Sequence, residues 1–430
     1  MISSTWIQHF AAFSLLVLFA GFSSPARQQE AQQRAGQQVD ELRGAPAEPD
    51  DAAEVRAQIA VVEKLLPNFV DRGATLYFLA AAKQHLGESR EAFDLLKECM
   101  ALDEGFDPSG GPEFAGLRGE HSFTELVERA RQHFPAVAMA RLALATEEKD
   151  LVPEGLAWDP KRELFYLSSL HRKKIVQITP DSHTSDFVPP QQDPLLPVLG
   201  IRLDPNDGTI WANAFQDAGA SAGTTQLLHI DTQGKVLARF SPPDKAHHGF
   251  NDLVVLKSGE VFTTDSLGNA VFRFDAPARK FTTLQFHRPL FYPNGIALAG
   301  DEHTIYVADA LGVIKYDLAN SSSTDVAPGP HATLAGVDGL YWHRGSLVAI
   351  QNGIGTPRVA AFKLSPDGAR VARVTILEYR TTLTALPTTG AIRGSDFYFI
   401  SNSQIDNLNG DKILDPTRLE PVRIAVVHLP

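Results

Sequence analysis

The sequence has a single cysteine, no stretch of clustered lysine and arginine, and only one long apolar run. Cys99 cannot form an internal disulfide, so packing must stabilise the fold, and we expect this residue to be a small buried side chain. The 430 residues carry a formal net charge of −12 at pH 7. This charge argues against a protein that neutralises phosphate groups, and we therefore expect no nucleic-acid partner.

The apolar run extends from Phe10 to Phe22, and small residues follow it as far as Ala26. A run of 13 residues is too short to span a bilayer comfortably but is typical of the core of a secretory signal. We predict a signal peptide over residues 1–26 and export to the periplasm or the exterior, with an uncleaved membrane anchor as the alternative. Residues 27–54 are rich in Gln, Ala, Glu and Asp, which predicts a flexible linker.

Residues 55–135 change to a helical pattern, with apolar residues at steps of three and four. The pattern predicts helices over 56–66, 74–86, 90–102 and 123–133. In the middle pair, small or apolar residues stand where two helices must approach closely, and the pair resembles a tetratricopeptide unit. These residues are Ala80, Gly87, Ala92, Leu96 and Cys99. Two roles stay open for this domain: a helical cap packed on the next domain, or a module that binds a protein partner.

From residue 136 to 430 the pattern is that of strands, and one short phrase recurs six times at a period near 45 residues. The copies are Pro153-Glu154-Gly155, Val198-Leu199-Gly200, Phe250-Asn251-Asp252, Pro293-Asn294-Gly295, Val337-Asp338-Gly339 and Thr388-Thr389-Gly390. This period is about one blade of a β-propeller, and each repeat contains about four strands. The sequence therefore predicts an all-β six-bladed propeller with a smaller amino-terminal α-helical domain.

The last repeat contains only three recognisable strands, at 390–392, 397–401 and 422–428. An alternating segment, 138–145, lies before the first phrase and has no blade of its own. We predict that it supplies the missing fourth strand, which would close the ring and remove exposed sheet edges.

The middle residues of the six phrases should meet, because the innermost strands of a propeller begin on the same face near the axis. Two of them are carboxylates, which repel each other in a constricted site unless a positive charge lies between them. An oxygen donor set without Cys or His favours Ca²⁺, with other divalent cations as alternatives. The predicted metal ligands are Glu154, Asn251, Asn294 and Asp338. The other interpretation of these residue types is that they cap turns.

Further polar residues should surround this ring, because the second strand of each blade returns to the same face. His248 precedes the third phrase and would project over the mouth. A pocket would be walled by the loop 188–198 with Phe286, Leu290, Phe291 and Tyr292. We predict that five residues contact a substrate: Thr389, Asp265, His248, Leu199 and Tyr292.

The segments VPEGLAWDP, FNDLVVLKSGEVFTTD, YPNGIALAGDEHTIYVAD and GVDGLYW resemble the blades of the senescence marker protein (regucalcin) and gluconolactonase family. More distantly they resemble paraoxonase-type lactonases, and the resemblance covers about 136–430. It implies a propeller with one divalent metal, usually calcium, at the axis, and hydrolysis of lactones or related esters. By motif, Glu154, Asn294 and Asp338 match the family's metal ligands. Asn251 matches the asparagine that faces metal or substrate.

Two positions depart from these relatives. Gly249 stands where gluconolactone-type members have an arginine, so a sugar lactone is not the expected substrate. Leu199 stands where paraoxonase-type enzymes have a catalytic histidine. Asp338 is then the first candidate for the base that takes a proton from water, with Asp265 or His248 as alternatives.

We therefore expect Asp338 and Asn251 to be catalytic residues of a metal-dependent lactone or ester hydrolase. The alternative is a non-catalytic exported protein whose calcium-stabilised propeller is a platform for a ligand or protein.

Overall fold

The computed structural model of the protein describes residues 49–190, 194–218 and 221–430. The predicted signal peptide lies outside the described residues, and so does most of the predicted linker. The first helix begins at Pro49, inside the segment predicted as linker. Within the described ranges, no helix combines the length and the apolar character needed to cross a membrane.

Four α-helices precede the propeller within the described residues. They are α1 (Pro49–Leu65), α2 (Arg72–His85), α3 (Ser89–Ala101) and α4 (His121–His133), with 3₁₀ turns at Pro108–Gly110 and Pro112–Leu117. Asp71 caps the amino terminus of α2, since its Oδ1 accepts a hydrogen bond from Ala74 N at 2.9 Å. Gly87, with φ of 77°, allows the tight turn from α2 to α3. Cys99 is fully buried between these helices, as predicted.

The remaining chain forms six sheets around an axis. Two short strands come first, β1 (Val137–Ala138) and β2 (Arg141–Thr146). Blade 1 contains β3 (Pro153–Asp159), β4 (Leu164–Ser169), β5 (Ile175–Ile178) and β6 (Thr184–Val188). Blade 2 contains β7 (Val198–Leu203), β8 (Ile210–Ala218), β9 (Ser221–Ile230) and β10 (Val236–Phe240). Blade 3 contains β11 (Phe250–Val255), β12 (Val261–Asp265), β13 (Ala270–Asp275) and β14 (Lys280–Thr283).

Blade 4 contains β15 (Ile296–Leu298), β16 (Thr304–Asp309), β17 (Gly312–Asp317) and β18 (Ser322–Asp325). Blade 5 contains β19 (Val337–His343), β20 (Ser346–Gln351), β21 (Arg358–Leu364) and β22 (Val371–Tyr379), and β1 joins its outer edge. Blade 6 contains β23 (Gly390–Arg393), β24 (Asp396–Ile400), β27 (Val422–His428) and β2. A hairpin of β25 (Leu408–Asn409) and β26 (Lys412–Ile413) and 3₁₀ turns at Thr382–Thr384, Ile405–Asn407 and Pro416–Arg418 complete the chain. The six-bladed propeller with a helical domain is confirmed.

Strands from the two ends of the propeller meet in blade 6. β2 pairs antiparallel with β27, with Leu144 opposite Ile424, so the sheet edge of the last blade is covered as predicted. The boundary differs from the prediction, because Ala138 belongs to β1 and pairs with Glu378 of blade 5. Glu378 Oε2 accepts hydrogen bonds from Met139 N and Ala140 N at 2.8 and 2.7 Å, which turns the chain between the two blades.

The apolar core lies mainly between neighbouring blades, because the inner strands are buried on both faces. All residues of β11, β12, β16 and β20 are buried. One further cluster is of a different kind, since it joins the helices to the axial end of the propeller. This cluster positions the helical domain at the mouth where the six phrases begin.

Candidate functional site

Glycine follows the middle residue of most phrases because the next blade's inner strand passes against it. A Cβ atom at Gly155 would lie 2.3 Å from the carbonyl oxygen of Leu199, and one at Gly295 would lie 2.2 Å from that of Asp338. Real Cβ atoms do not approach backbone so closely, so only glycine allows the inner strands to meet at the axis. The repeated phrase thus has a steric cause, and its consequence is that the middle residues converge.

Side chains near the axis, from the second strands and from the sixth phrase, then join neighbouring blades. Ser168 Oγ donates to the carbonyl oxygen of Leu199 at 2.7 Å, and Thr264 Oγ1 donates to that of Asn294 at 2.7 Å. Thr389 Oγ1 donates to the carbonyl oxygen of Glu154, which links blade 6 to blade 1. The polar residues predicted to surround the ring therefore include side chains, such as Ser168, that hold the blades together.

Glu154 is the most unusual residue at the axis. It is 1% exposed, and neither of its carboxylate oxygens has a hydrogen-bond partner among the described residues. Burial, together with the negative charge of Asp338, raises the pKa of Glu154 well above its ordinary range, and the opposing effect of the nearby Thr388 hydroxyl is smaller. A buried carboxylate without a partner is destabilising by several kcal/mol unless a cation or proton compensates for it.

The other predicted ligands are also buried around this point. Asp338 Oδ2 accepts a hydrogen bond from Asn352 Nδ2 at 2.7 Å. Asn251 Nδ2 donates a hydrogen bond to Ser266 Oγ at 2.9 Å. The amide oxygen of Asn251 is therefore the atom that can bind a cation. Asn294 Oδ1 is buried and has no hydrogen-bond partner within the described part of the chain.

These oxygens fit a hard divalent cation. In the described ranges no three His, Cys, Asp or Glu side chains cluster as metal ligands would, so a site here would use two carboxylates and two amide oxygens. Carboxylate and amide oxygens are typical ligands of Ca²⁺, which accepts six to eight of them, roughly, with water completing the set. The residues Glu154, Asn251, Asn294 and Asp338 would hold the ion.

Tyr292 is a further polar group beside the two carboxylates. Its side chain is 1% exposed, and its hydroxyl is buried without a hydrogen-bond partner among the residues described. Burial and the charges of Asp338 and Glu154 raise the pKa of Tyr292 far above its usual value. The phenol is therefore neutral and can donate a hydrogen bond to an oxygen that gains negative charge.

The axial geometry can now be set beside known proteins. A family model described as the SMP-30/gluconolactonase/LRE-like region matches residues 152–389, more than half of the chain. The chain belongs to this family. The match contains the five phrases from Glu154 to Asp338 and reaches Thr389 of the sixth. A comparison with curated proteins gives no match.

Solved structures of several enzymes have a similar course of the chain. A gluconolactonase from Xanthomonas campestris has 16% identity and a TM-score of 0.47 over 69% of this chain and 91% of its own. A PQQ-bound aldose sugar dehydrogenase from Streptomyces coelicolor has 13% identity and a TM-score of 0.47 over 68% of this chain and 98% of its own. Virginiamycin B lyase from Staphylococcus aureus has 16% identity and a TM-score of 0.44, covering 59% and 79%. These likenesses carry no argument about substrate or reaction.

Within this SMP-30/gluconolactonase-like propeller, Gly249 is packed tightly. A Cβ atom there would lie 2.7 Å from Leu267 Cγ. An arginine at position 249 would displace Leu267. The glycine that stands in place of the family's arginine therefore packs against an apolar side chain. Leu199, the apolar member of the ring, is 1% exposed and belongs to the same cluster as Leu267. The mouth therefore has an apolar part beside the polar side chains that contact the ring.

Asp265 and His248 form a pair at the edge of blade 3. His248 Nδ1 lies 2.5 Å from Asp265 Oδ2, and its Nε2 lies 2.8 Å from Asp244 Oδ1. Blade 4 has an equivalent pair, in which Arg288 contacts both oxygens of Asp309 at 2.6 and 3.1 Å. Asp265 and Asp309 occupy equivalent positions, and each contacts a basic side chain. His248 therefore lies where Arg288 lies in blade 4, and its contacts are those of a residue that stabilises the fold.

The helices cover the mouth of the propeller. A cap of this kind is one of the two roles that the sequence left open for the helical domain. Phe78 of α2 packs edge-on against Phe291, with ring centroids 5.9 Å apart. The apolar cluster that contains Phe78 also contains Leu199, Phe291 and Tyr292. The predicted pocket wall is divided, since Leu290 packs in the core of blades 3 and 4 instead. A sequence signal for the contact of α2 with the mouth is that Gly73–Ala82 contains no charged residue and so has no polar face, and the structure buries this whole stretch of α2.

Proposed function

We propose that the protein is a calcium-dependent hydrolase that acts on a lactone or related ester at the axial site. The observation that carries this proposal is the buried carboxylate of Glu154, which lies near Asp338 and Tyr292 and, among the described residues, has at most the neighbouring Thr388 hydroxyl as a weak partner. Packing alone does not require such a group, whereas a cation would stabilise it. Membership of a family that includes gluconolactonases supports the reaction class.

The chain's own residues provide the parts of a hydrolytic mechanism. Bound calcium would polarise the carbonyl group of the substrate. Asp338 would accept a proton from the attacking water and return it to the leaving alkoxide. The neutral hydroxyl of Tyr292 would donate a hydrogen bond to the carbonyl oxygen as negative charge develops there. The amide of Asn251 would orient the substrate, and the apolar surroundings would exclude other water.

The apolar mouth favours a substrate with an apolar substituent over a sugar lactone. Leu199, Phe215, Leu267 and Phe291 belong to one buried cluster at the mouth. Sugar hydroxyls placed against such side chains would lose hydrogen bonds to water without replacement. Acyl-chain lactones and aryl esters are therefore the first compounds to assay.

The test is turnover of a panel of lactones and aryl esters in calcium and again in chelator. We expect hydrolysis only with calcium. Asp338→Asn should abolish turnover and weaken calcium binding, whereas Tyr292→Phe should keep calcium binding and lower kcat by about 10²- to 10³-fold, as removal of an oxyanion donor does. Hydrolysis that persists in chelator, or an unchanged rate in Asp338→Asn, would refute the mechanism.

A second function is favoured by the closed mouth. The four predicted ligands are between 1% and 3% exposed, so calcium at the axis would also serve a purely structural role in a platform that binds a ligand or protein. Calcium would then raise the melting temperature without any turnover across the panel. A protein partner of the helical domain belongs to this second function.

Export is part of the proposal. Its support is the apolar run of Phe10 to Phe22, which lies outside the described residues. Fractionation of cells that produce the full chain tests it, with a deletion of residues 2–26 as the control.

A further inference from the structure

The helical domain closes the propeller at the axis. The cluster that contains the buried residues of α1, α2, α3 and α4 also contains apolar residues from the mouth of every blade. These mouth residues are Val152, Leu170, Leu199, Phe215, Leu267, Phe291, Tyr292, Ala310, Leu311, Ala335, Ile354, Leu386, Ile405 and Leu408. The helices therefore cover this end of the axis, where Glu154 and Asp338 are each 1% exposed.

The polar contacts of the helical domain are concentrated on one side. Asp71 Oδ2 accepts hydrogen bonds from Thr333 Oγ1 at 2.8 Å and from Leu334 N at 3.0 Å, just before blade 5. Asp107 Oδ2 accepts from Thr356 Oγ1 at 2.6 Å and from Arg380 at 2.7 Å. Both aspartates are 1–2% exposed, so these charge-assisted bonds form a buried anchor.

The backbone strengthens this anchor. Asp107 N donates to the carbonyl oxygen of Ile354 at 3.2 Å, and Thr356 N donates to that of Asp107 at 2.8 Å. The covalent connection to the propeller lies on the same side, since β1 extends the sheet of blade 5. These hydrogen bonds between described residues of the helical domain and the propeller reach blade 5 or the loops on either side of it.

At the other blades, the described contacts with the helices involve apolar and aromatic groups. Phe78 packs against Phe291, and the guanidinium of Arg288 lies 5.2 Å from the ring centre of Phe69. Apolar contacts are non-directional and can be separated without leaving buried hydrogen-bonding groups unpaired. A motion that separates them and keeps the blade 5 contacts is therefore the least costly way to open the mouth.

We propose that the helical domain is a hinged lid: it opens about its anchor on blade 5 and admits ligands to the axial site from the side of blades 1 to 3. Such a motion is a rigid-body domain movement, and its hinge lies at the buried contacts of the anchor on blade 5. Admission of a substrate rests on the proposed function. Opening itself does not, so the two are tested separately.

The experiment measures the rate at which a thiol reagent labels the native full-length chain carrying Leu199→Cys. The introduced thiol lies under the lid, and Cys99, buried in the helical hairpin, is an internal control for unfolding of the helices. Leu228→Cys is the matched control in blade 2, because Leu228 is equally buried but packs between blades. If Leu199→Cys does not fold, Leu170→Cys at the mouth of blade 1 takes its place.

We expect the thiol at position 199 to be labelled at least about tenfold faster than both Cys99 and the thiol at position 228, because labelling follows the opening equilibrium. Adding Phe78→Ala should increase the rate at position 199 alone, whereas Phe274→Ala, in the core of blade 3, should not. This readout needs neither metal nor substrate, so an inactive protein would still report on the lid.

Three results would overturn the proposal. Labelling at position 199 as fast as that of an exposed thiol would mean that the mouth is not closed. Equal rates at position 199 and Cys99 would mean that the helices unfold rather than move as a unit. The third result is a labelling rate at position 199 that equals the rate at position 228 and does not change with Phe78→Ala. It would mean that the helices are a permanent cap.

Discussion

At the scale of single residues, the environment of Glu154 differs from that of the other buried acids. Asp309 is 1% exposed, like Glu154, but it contacts the guanidinium of Arg288 and accepts backbone hydrogen bonds from Leu311 and Gly312. Turn-capping acids have such partners, whereas neither oxygen of Glu154 has one among the described residues. Glu154 therefore lacks the backbone hydrogen bonds of a turn cap, and its role as a metal ligand stays a prediction.

Glu154→Gln should remove the response of the protein to calcium. The variant keeps the shape of the side chain but not its charge, so in chelator it should be at least as stable as wild type. Calcium at 100 times its Kd should stabilise wild type by about 2.7 kcal/mol and the variant by much less. The measurement is the melting temperature in calcium and in chelator. Asp309→Asn, which breaks a paired acid, is the control and should lower stability equally in both; an equal calcium response in wild type and Glu154→Gln would exclude Glu154 as a ligand.

His248 should make stability depend on pH. Burial lowers the pKa of His248, but its bonds to Asp265 and Asp244 outweigh this effect, and the pKa is raised from the ordinary value. A folded-state pKa above the unfolded one means that the stabilisation is complete below about pH 6.5 and is lost as the pH rises through the folded value. We expect His248→Gln to cost about 1.5–3 kcal/mol at pH 5.5, the range for a hydrogen bond to a charged group, and less at pH 8. Urea unfolding at pH 5.5 and at pH 8 measures the loss of stability at each pH. A loss that does not change with pH would contradict a raised pKa of His248 in the folded protein.

At the scale of elements, the recurring phrase could be predicted from sequence because the same contact between neighbouring blades recurs and leaves a periodic pattern. Each phrase sits at the start of an inner strand, and the spacing of the phrases gave the number of blades. The contact between Phe78 and Phe291 could not be predicted in this way, because it joins residues far apart in the chain and leaves no periodic pattern. What α2 does show is burial on all sides, which indicates a helix between two layers but does not identify the second layer.

The glycines that follow the middle residues of the phrases should not tolerate a side chain. In Gly155→Ala the added Cβ atom would lie 2.3 Å from backbone, the carbonyl oxygen of Leu199, which cannot rotate away. We expect a loss of about 1–3 kcal/mol, as for an overpacked core, together with weaker calcium binding because blades 1 and 2 move apart. Gly119→Ala is the control, since no atom lies within 4 Å of its added Cβ. A change in Gly155→Ala no larger than in Gly119→Ala would show that close approach does not explain the glycines.

At the scale of the whole molecule, the ring is closed by two strands from opposite ends of the propeller. The sequence predicted this closure because three strands follow the last phrase and one unassigned segment precedes the first. The exact bounds could not be predicted, since the two stretches on either side of Met139 have the same alternating character. Their division between blades 5 and 6 depends on Glu378, which binds the backbone of Met139 and Ala140.

Closure of this kind should make the propeller unfold as one unit. Leu144 in β2 is 5% exposed and packs in the core shared by blades 1 and 6, whereas Leu142 in the same strand is 50% exposed. Leu144→Asp places a charge in that core and should cost more than about 4 kcal/mol, while Leu142→Asp should change stability by less than about 0.5 kcal/mol. Urea unfolding followed by tryptophan fluorescence measures both. Because Trp158 and Trp211 lie in blades 1 and 2 and Trp342 lies in blade 5, a single transition that shifts as a whole in Leu144→Asp indicates a cooperative ring. A separate early transition confined to the strands of blade 6 would mean that the other five blades are stable without closure.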